Sequence, residues 1–290
     1  MFPEAPPQRN LFLDISRILY THNIAMYRYD KRASGQSEGI YKDTDLTTLA
    51  KDVLSICRKL RSLYPSLPIG FLGQSEGGLT ILKATEIAID SVPFHDTAPD
   101  FLLLQGPALF PFSKTLEFQR DRGAKPYLED KSGVLAARFP YLHAFYQAMY
   151  FGDMVNLILN TNQQHYRLTS GDWSFETSLQ KYREYFWDGL ELLKRVQVPT
   201  AMIIGDQDLN VDPEAAREIL RRQALGFYKT VSVSILEGLE HSFREVVPGL
   251  DFVQMMKLPI SDRYRTELLR RLDNILLKVP AATCTGALGG

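Results

Sequence analysis

Leu67-Pro-Ile-Gly-Phe-Leu-Gly-Gln-Ser-Glu-Gly-Gly-Leu-Thr-Ile-Leu82 joins a short apolar run, a glycine-flanked serine and a second apolar run. The first run has the length of a strand and the second continues with helical spacing, so Ser75 falls on a tight strand-to-helix turn. That is the setting of a G-x-S-x-G nucleophile elbow, in which a strained backbone exposes the serine Oγ. Gly73 and Gly77 read as the positions where strand and helix approach without a Cβ between them. The same pentapeptide, Gly-Gln-Ser-Glu-Gly, also occurs at Gly35–Gly39. There it follows the charged Asp30-Lys-Arg and precedes Ile40-Tyr-Lys-Asp-Thr-Asp, and no apolar strand leads into Ser37. The first copy reads as a loop, and Ser75 alone has the surroundings of a nucleophile.

On either side of the elbow, short apolar runs alternate with longer periodic ones, the pattern of a parallel sheet flanked by helices. Strands are expected at Ile24–Tyr29, Pro68–Leu72, Phe101–Gln105, Ala201–Ile204 and Val231–Leu236. Leu46, Leu49, Val53, Ile56, Cys57 and Leu60 mark one apolar helix face. Further helices are expected at Leu79–Ile89, Pro213–Leu225 and Asp262–Leu277, the last with Ser261 as its N-cap. The alternation stops between Ser113 and Lys194, where aromatic and charged residues dominate and no strand is evident. Helical stretches at Pro140–Phe151 and Thr177–Arg195 predict a mostly helical insertion, a cap over the carboxyl ends of the strands where α/β ligands bind. The expected organisation is an α/β core over 1–112 and 195–278, a helical cap over 113–194, and a disordered tail of small residues over 279–290.

The 290 residues suffice for a large core, and a formal net charge of −1 gives no electrostatic footprint for nucleic acid or an anionic membrane. A small-molecule partner is expected, with no cofactor and no metal. Cys57 and Cys284 are too few for a disulfide framework or a zinc site, and Cys57 reads as packing. Asp14 and Arg17 interrupt Leu11–Tyr20, so no secretory leader is evident, and Phe101–Phe112, the richest apolar run, is broken by Gln105, Gly106, Pro107 and Pro111. A cytoplasmic protein without a membrane span is expected.

A nucleophilic serine needs a general base and a group that orients it. Of five histidines, His241 is best placed, in the glycine-bearing loop Glu237-Gly-Leu-Glu-His-Ser-Phe after a strand. His22 precedes a strand, His95 lies in a Pro/Asp loop, and His143 and His165 fall in the insertion. The carboxylate should end another strand, and Thr200-Ala-Met-Ile-Ile-Gly-Asp-Gln-Asp supplies two competitors, Asp206 and Asp208. A calcium loop starting at Asp206 is excluded, because Val211 stands where glycine is needed and Arg217 where the bidentate glutamate is needed.

Taken together, Arg28-Tyr-Asp-Lys-Arg-Ala-Ser-Gly-Gln-Ser-Glu-Gly, Gly73-Gln-Ser-Glu-Gly-Gly, Val198-Pro-Thr-Ala-Met-Ile-Ile-Gly-Asp-Gln-Asp and Gly238-Leu-Glu-His-Ser-Phe resemble an α/β-hydrolase of the serine aminopeptidase S33-like, esterase and thioesterase type. The resemblance implies a cofactor-independent serine hydrolase acting on a small acyl substrate: an ester, a thioester or a small amide. Ser75 would be nucleophile, His241 base, Asp208 rather than Asp206 the orienting acid, and the Glu76 N–H an oxyanion donor. The rivals are a catalytically silent binding protein of the same fold and a lyase or C–C hydrolase using the same triad. The chain departs from the family at its start, since three strands normally precede the first one read here and the third ends in an oxyanion loop. Pro3–Asn10 reads as a remnant of that loop, which puts the second donor near Ala5, beside Pro6 and Pro7 that cannot donate. The expectation is an N-terminally truncated sheet in which Ile24–Tyr29 either stands apart from Pro68–Leu72 or shifts to pair with it. One lost oxyanion donor lowers the rate by about 10²–10³.

Overall fold

A computed structural model describes residues 11–90, 97–129, 140–250, 252–255 and 257–279. Ala5, His95, Cys284 and nearly all of the tail expected over 279–290 lie outside them. In chain order the main elements are α1 (Leu11–Tyr20), α2 (Leu46–Leu63), β1 (Gly70–Gln74), α3 (Glu76–Ile89), β2 (Phe101–Gln105) and α4 (Phe112–Gln119). They continue with α5 (Pro140–Phe151), α6 (Asp153–Asn160), β3 (His165–Ser170), β4 (Trp173–Ser178), α7 (Leu179–Glu184) and α8 (Gly189–Arg195). The chain then returns through β5 (Thr200–Gly205), α9 (Glu214–Gln223), β6 (Val231–Leu236) and α10 (Asp262–Leu276).

The strands β1, β2, β5 and β6 pair in that order, all parallel. Parallel strands with helices on both faces are buried on both sides, which is why β2 and β5 read as unbroken apolar runs. Their alternate residues divide between two cores. Leu102, Leu104, Met202 and Ile204 join α2, α3, α8 and α9 on one face. Phe101, Leu103, Ala201 and Ile203 join α1 and α10 on the other. Asp45 caps α2 by accepting the Thr48 N–H at 2.7 Å, and Ser261 caps α10 as the sequence predicts, accepting the Arg263 N–H at 3.2 Å.

Several expectations need correction. Ile24–Tyr29 is not a strand among the described residues, and β1 is the edge of the sheet. Ile24 and Met26 still face the α1/α10 core while Ala25 and Tyr27 are exposed, so the period-2 pattern survives without a ladder. The segment does not pair with β1, and with no strand formed there neither of the two expected strand arrangements is seen among the described residues. Ahead of it, Leu11–Tyr20 forms a helix with Leu11, Ile15, Ile18 and Leu19 buried on one stripe. A further correction concerns 113–194, which holds an antiparallel hairpin in addition to helices. Its two-residue turn, Gly171-Asp172 with Gly171 at φ 58°, is a hairpin signal present in the sequence. The helix expected over Thr177–Arg195 breaks at Tyr185–Asp188, where the Asp188 carboxylate caps α8 through the Leu190 and Glu191 N–H groups.

Residues 112–195 bury their own cluster, with Phe112, Leu116, Met149, Met154, Ile158, Tyr182 and Tyr185 packed against Leu46 of α2 and Leu79 of α3. Polar contacts add to this seat. Glu184 accepts the Thr47 N–H at 2.9 Å, and His165 and Glu176 of the hairpin meet Asp43 and Lys42 of the Tyr41–Asp43 turn at 3.0 and 3.6 Å.

The glycines around the elbow are not equivalent. A Cβ on Gly73 would stand 2.3 Å from the Gly77 carbonyl oxygen and one on Gly78 2.9 Å from Pro107 Cβ, whereas one on Gly77 meets nothing within 4 Å. The close approach is therefore made by Gly73 and Gly78, and Gly77 contributes only its backbone. Gly73→Ala is expected to cost about 1–3 kcal/mol, as overpacking against fixed backbone does. Gly77→Ala should be neutral or stabilising by up to about 1 kcal/mol, since alanine is the better helix former. Urea unfolding midpoints of the two variants check this order.

Candidate active site

Ser75 lies between the last residue of β1 and the first of α3 with φ 55° and ψ −120°, a conformation that costs a non-glycine residue about 1–3 kcal/mol. Backbone bonds hold it there: its N–H donates to the Gln105 carbonyl at 2.9 Å, and its carbonyl accepts the Gly78 N–H at 2.9 Å and the Leu79 N–H at 3.4 Å. Glu76 supplies the first N–H of α3, a group with no acceptor inside the helix and at the positive end of its dipole. The elbow read from the sequence is thus formed at Ser75. Ser37 instead donates its hydroxyl to the Asp30 carbonyl at 2.6 Å in a loop where Gly35 and Gly39 take positive φ.

The two aspartates after β5 have separate tasks. Asp206 accepts the Gly238 N–H at 2.6 Å and fastens the loop that follows β6. Asp208 is 2 % exposed, accepts the Asn210 and Val211 N–H groups at 2.8 Å each through Oδ1, and bonds His241 Nδ1 at 2.7 Å through Oδ2. Both oxygens are committed, so the carboxylate has a fixed orientation. Gly106, just after β2, makes room for this pair: with φ 49°, a Cβ there would stand 3.2 Å from Asp208 Oδ2 and 3.3 Å from His241 Nδ1.

The histidine loop is tied back to the sheet at several points. Gln74, beside the elbow, donates its side-chain amide to the His241 carbonyl at 3.0 Å. Phe243, at φ 61°, stacks on Tyr264 of α10 with ring centroids 4.2 Å apart, and the Tyr264 hydroxyl accepts the side-chain amide of Gln105. Gln105 thereby serves the serine through its backbone and the histidine loop through its side chain. Arg244, buried, bonds the Leu258 carbonyl at 3.0 Å and lies 3.7 Å from Glu240.

Burial works to lower the His241 pKa, but the hydrogen bond and charge of Asp208, with a smaller part from Glu240, raise it above the ordinary value. The Nδ1–H···Asp208 bond leaves Nε2 as the basic nitrogen of the neutral ring. Because the folded pKa lies above the unfolded one, this group's stabilisation is complete below about pH 6.5 and is lost as pH rises through the folded value.

A second cluster surrounds Glu76, and nothing in the sequence pointed to it. The Glu76 carboxylate pairs with Lys31 at 2.8 Å, with Lys181 of α7 and with the Tyr185 hydroxyl. Burial works to raise its pKa, yet the two ammonium groups bring it down to about 2. The partners are remote in sequence and lie in segments with no periodic signal linking them, so only the fold reveals them.

The remaining candidates do not join the site. His22 bonds Thr21 and the Ile18 carbonyl at the end of α1, His165 bonds Asp43, and His143 lies on α5. Among the described residues no group of three or more His, Cys, Asp and Glu side chains is placed to hold a metal, and no helix is long and apolar enough to cross a membrane.

Comparison with known proteins gives a consistent picture. The serine aminopeptidase S33 family matches residues 9–244. The structure of Est1E from Butyrivibrio proteoclasticus with bound ferulic acid superposes with a TM-score of 0.55 at 16% identity, over 94% of this chain and 86% of that one. A thermophilic esterase from Thermogutta terrifontis, with malate bound, gives 0.51 at 16% identity, over 94% of this chain and 88% of that one. A search of curated proteins finds no match.

NMR titration of the His241 imidazole is expected to give a pKa above 6.5. Asp208→Asn should bring it below that value, because burial then acts without its counterweight. An unchanged pKa would separate the two residues electrostatically.

Proposed function

This chain belongs to the serine aminopeptidase S33 family of α/β-hydrolases, and we propose that it hydrolyses an ester, thioester or small amide through an acyl-enzyme formed on Ser75. The observation that carries the reading is the strained Ser75 elbow, whose neighbour Gln74 bonds the His241 carbonyl, together with the Asp208 carboxylate held on His241 Nδ1. In the first step Ser75 Oγ adds to the carbonyl carbon while His241 Nε2 takes its proton. Asp208 keeps the proton on Nδ1 and stabilises the imidazolium. The Glu76 N–H receives the developing oxyanion at the positive end of α3. Collapse of this intermediate expels the leaving group with the proton from His241. Water, deprotonated by the same nitrogen, then releases the acid.

Residues 113–194 act in this reading as a cap that receives the acyl group. Support comes from α7, whose Lys181 and the following Tyr185 reach the residue next to Ser75, and from the ring cluster of Phe112, Tyr182, Tyr185 and Phe186 behind them. A second reading, a binding protein with a silent site, draws on one observation: among the described residues β1, which leads into the elbow, is an edge strand.

A fluorophosphonate probe separates the two, since it labels Ser75 only when the serine is activated. Ser75→Ala should abolish both labelling and hydrolysis of p-nitrophenyl acetate, by up to about 10⁶-fold in kcat as for a subtilisin triad serine, whereas Ser37→Ala keeps most of both. Asp208→Asn is expected to reduce kcat by about 10⁴, by analogy with the trypsin carboxylate. Asp206→Asn, which keeps an oxygen for the Gly238 N–H, should keep most of its turnover. Equal losses from Ser75→Ala and Ser37→Ala, or from the two aspartate variants, would remove the assignment.

A further inference from the structure

The cluster around Glu76 raises an electrostatic question that the triad leaves open. Glu76 carries both the oxyanion-directed N–H and, within about 4–6 Å by covalent reach, a carboxylate. An ionised carboxylate at that distance opposes the negative charge that builds up on the substrate oxygen, and in a partly buried site the opposition is strong. The chain nonetheless keeps this group ionised, and directs one ammonium group onto each of its two oxygens. Lys31 comes from the loop holding the first Gly-Gln-Ser-Glu-Gly, and Lys181 comes from α7. Lys181 has only 7 % of its side chain exposed. Burying an ammonium is unfavourable unless a carboxylate meets it, so its placement against Glu76 is a costly arrangement for mere surface cohesion.

We propose that Lys31 and Lys181 are positioning residues for catalysis: their paired charges cancel the Glu76 carboxylate so that the N–H of the same residue can stabilise an oxyanion. The proposal rests on Ser75 being the nucleophile. It also gives the duplicated motif a task, because the loop around Gly35–Gly39 sets Lys31 in place. Asp30 accepts the Gln36 N–H at 3.1 Å, Ser37 donates to the Asp30 carbonyl, and Arg32 forms a two-point ion pair with Asp52 of α2. With the loop fixed on both flanks, Lys31 reaches Glu76 from a defined base. Tyr185, whose hydroxyl shares the same carboxylate, is anchored through its backbone carbonyl to the Phe112 N–H at 3.1 Å and its ring lies edge-on to the Phe112 ring.

A purely structural clamp and a charge-cancelling one differ in what rescues them. The test is the second-order rate of fluorophosphonate labelling at Ser75, with thermal melting recorded for every variant. Lys181→Met and Lys31→Met should each slow labelling by about tenfold or more. Combining either with Glu76→Gln, which removes the uncompensated charge and keeps the backbone N–H, should restore the rate to within about threefold of Glu76→Gln alone, a coupling read directly from the cycle. Lys31 is half exposed, so its variant reports even if Lys181→Met fails to fold. Labelling at the full rate in the lysine variants, or double variants as slow as the single lysine ones, overturns the proposal. A wild-type chain that does not label at Ser75 overturns the nucleophile reading and this inference with it. Labelling that is normal in the wild type and unaffected by the lysines removes the inference alone.

Discussion

The constraint on which the site depends is the hydrogen bond from the Ser75 N–H to the Gln105 carbonyl. Ser75 occupies a backbone conformation that a serine avoids, and such strain persists only where neighbours over-determine it. Here the neighbours are the five-residue register of β1 against β2, which continues through this bond beyond the last strand residue. The next link is made by Gly106, whose N–H donates to Ile203 of β5 at 2.9 Å and whose missing side chain admits the Asp208–His241 pair. By extending its own ladder the parallel sheet therefore fixes both the Ser75 turn and the Gly106 backbone beside the Asp208–His241 pair.

Much of this was readable from residue order. The strand-turn-helix pattern at Ser75, the apolar strands over Phe101–Gln105 and Val231–Leu236, and the cap at Ser261 all follow from local rules of periodicity and hydrogen-bond satisfaction. Asp206 and Asp208 could not be separated by spacing, because both end the same strand; the distinction comes from which oxygen meets Gly238 and which meets His241. Ile24–Tyr29 failed as a strand for a related reason. Its side-chain alternation is local and survives, but a ladder requires a neighbour, and pairing is a property of the fold. Asp14 and Arg17 break the apolar run of Leu11–Tyr20, yet Leu11, Ile15, Ile18 and Leu19 recur at helical spacing and form a legible helix face.

The polar network around Ser75, Asp208 and His241 was the least legible part. Gln105, Tyr264 and Phe243 form a continuous contact from β2 to the histidine loop, and Lys31, Lys181 and Tyr185 meet on Glu76. Each of these residues has an ordinary reading in its own segment: a strand glutamine, an amphipathic-helix tyrosine, a loop lysine. Buried polar side chains must find partners, but which partner is chosen depends on distances set by the assembled core.

The two copies of Gly-Gln-Ser-Glu-Gly carry a lesson about where conformational information resides. In the first copy the left-handed residues are Gly35 and Gly39, and the loop is closed by contacts among residues 30–39. In the second copy the flanking glycines do not take positive φ and the serine does. An identical five-letter word thus has two readings, one dictated by its immediate neighbours and the other imposed by strands that meet from far along the chain. Cut out as a peptide, the second copy would lose its distinguishing geometry, because nothing within those five residues encodes it. Its backbone geometry is a context effect, acquired when the sheet assembles and surrendered when it opens.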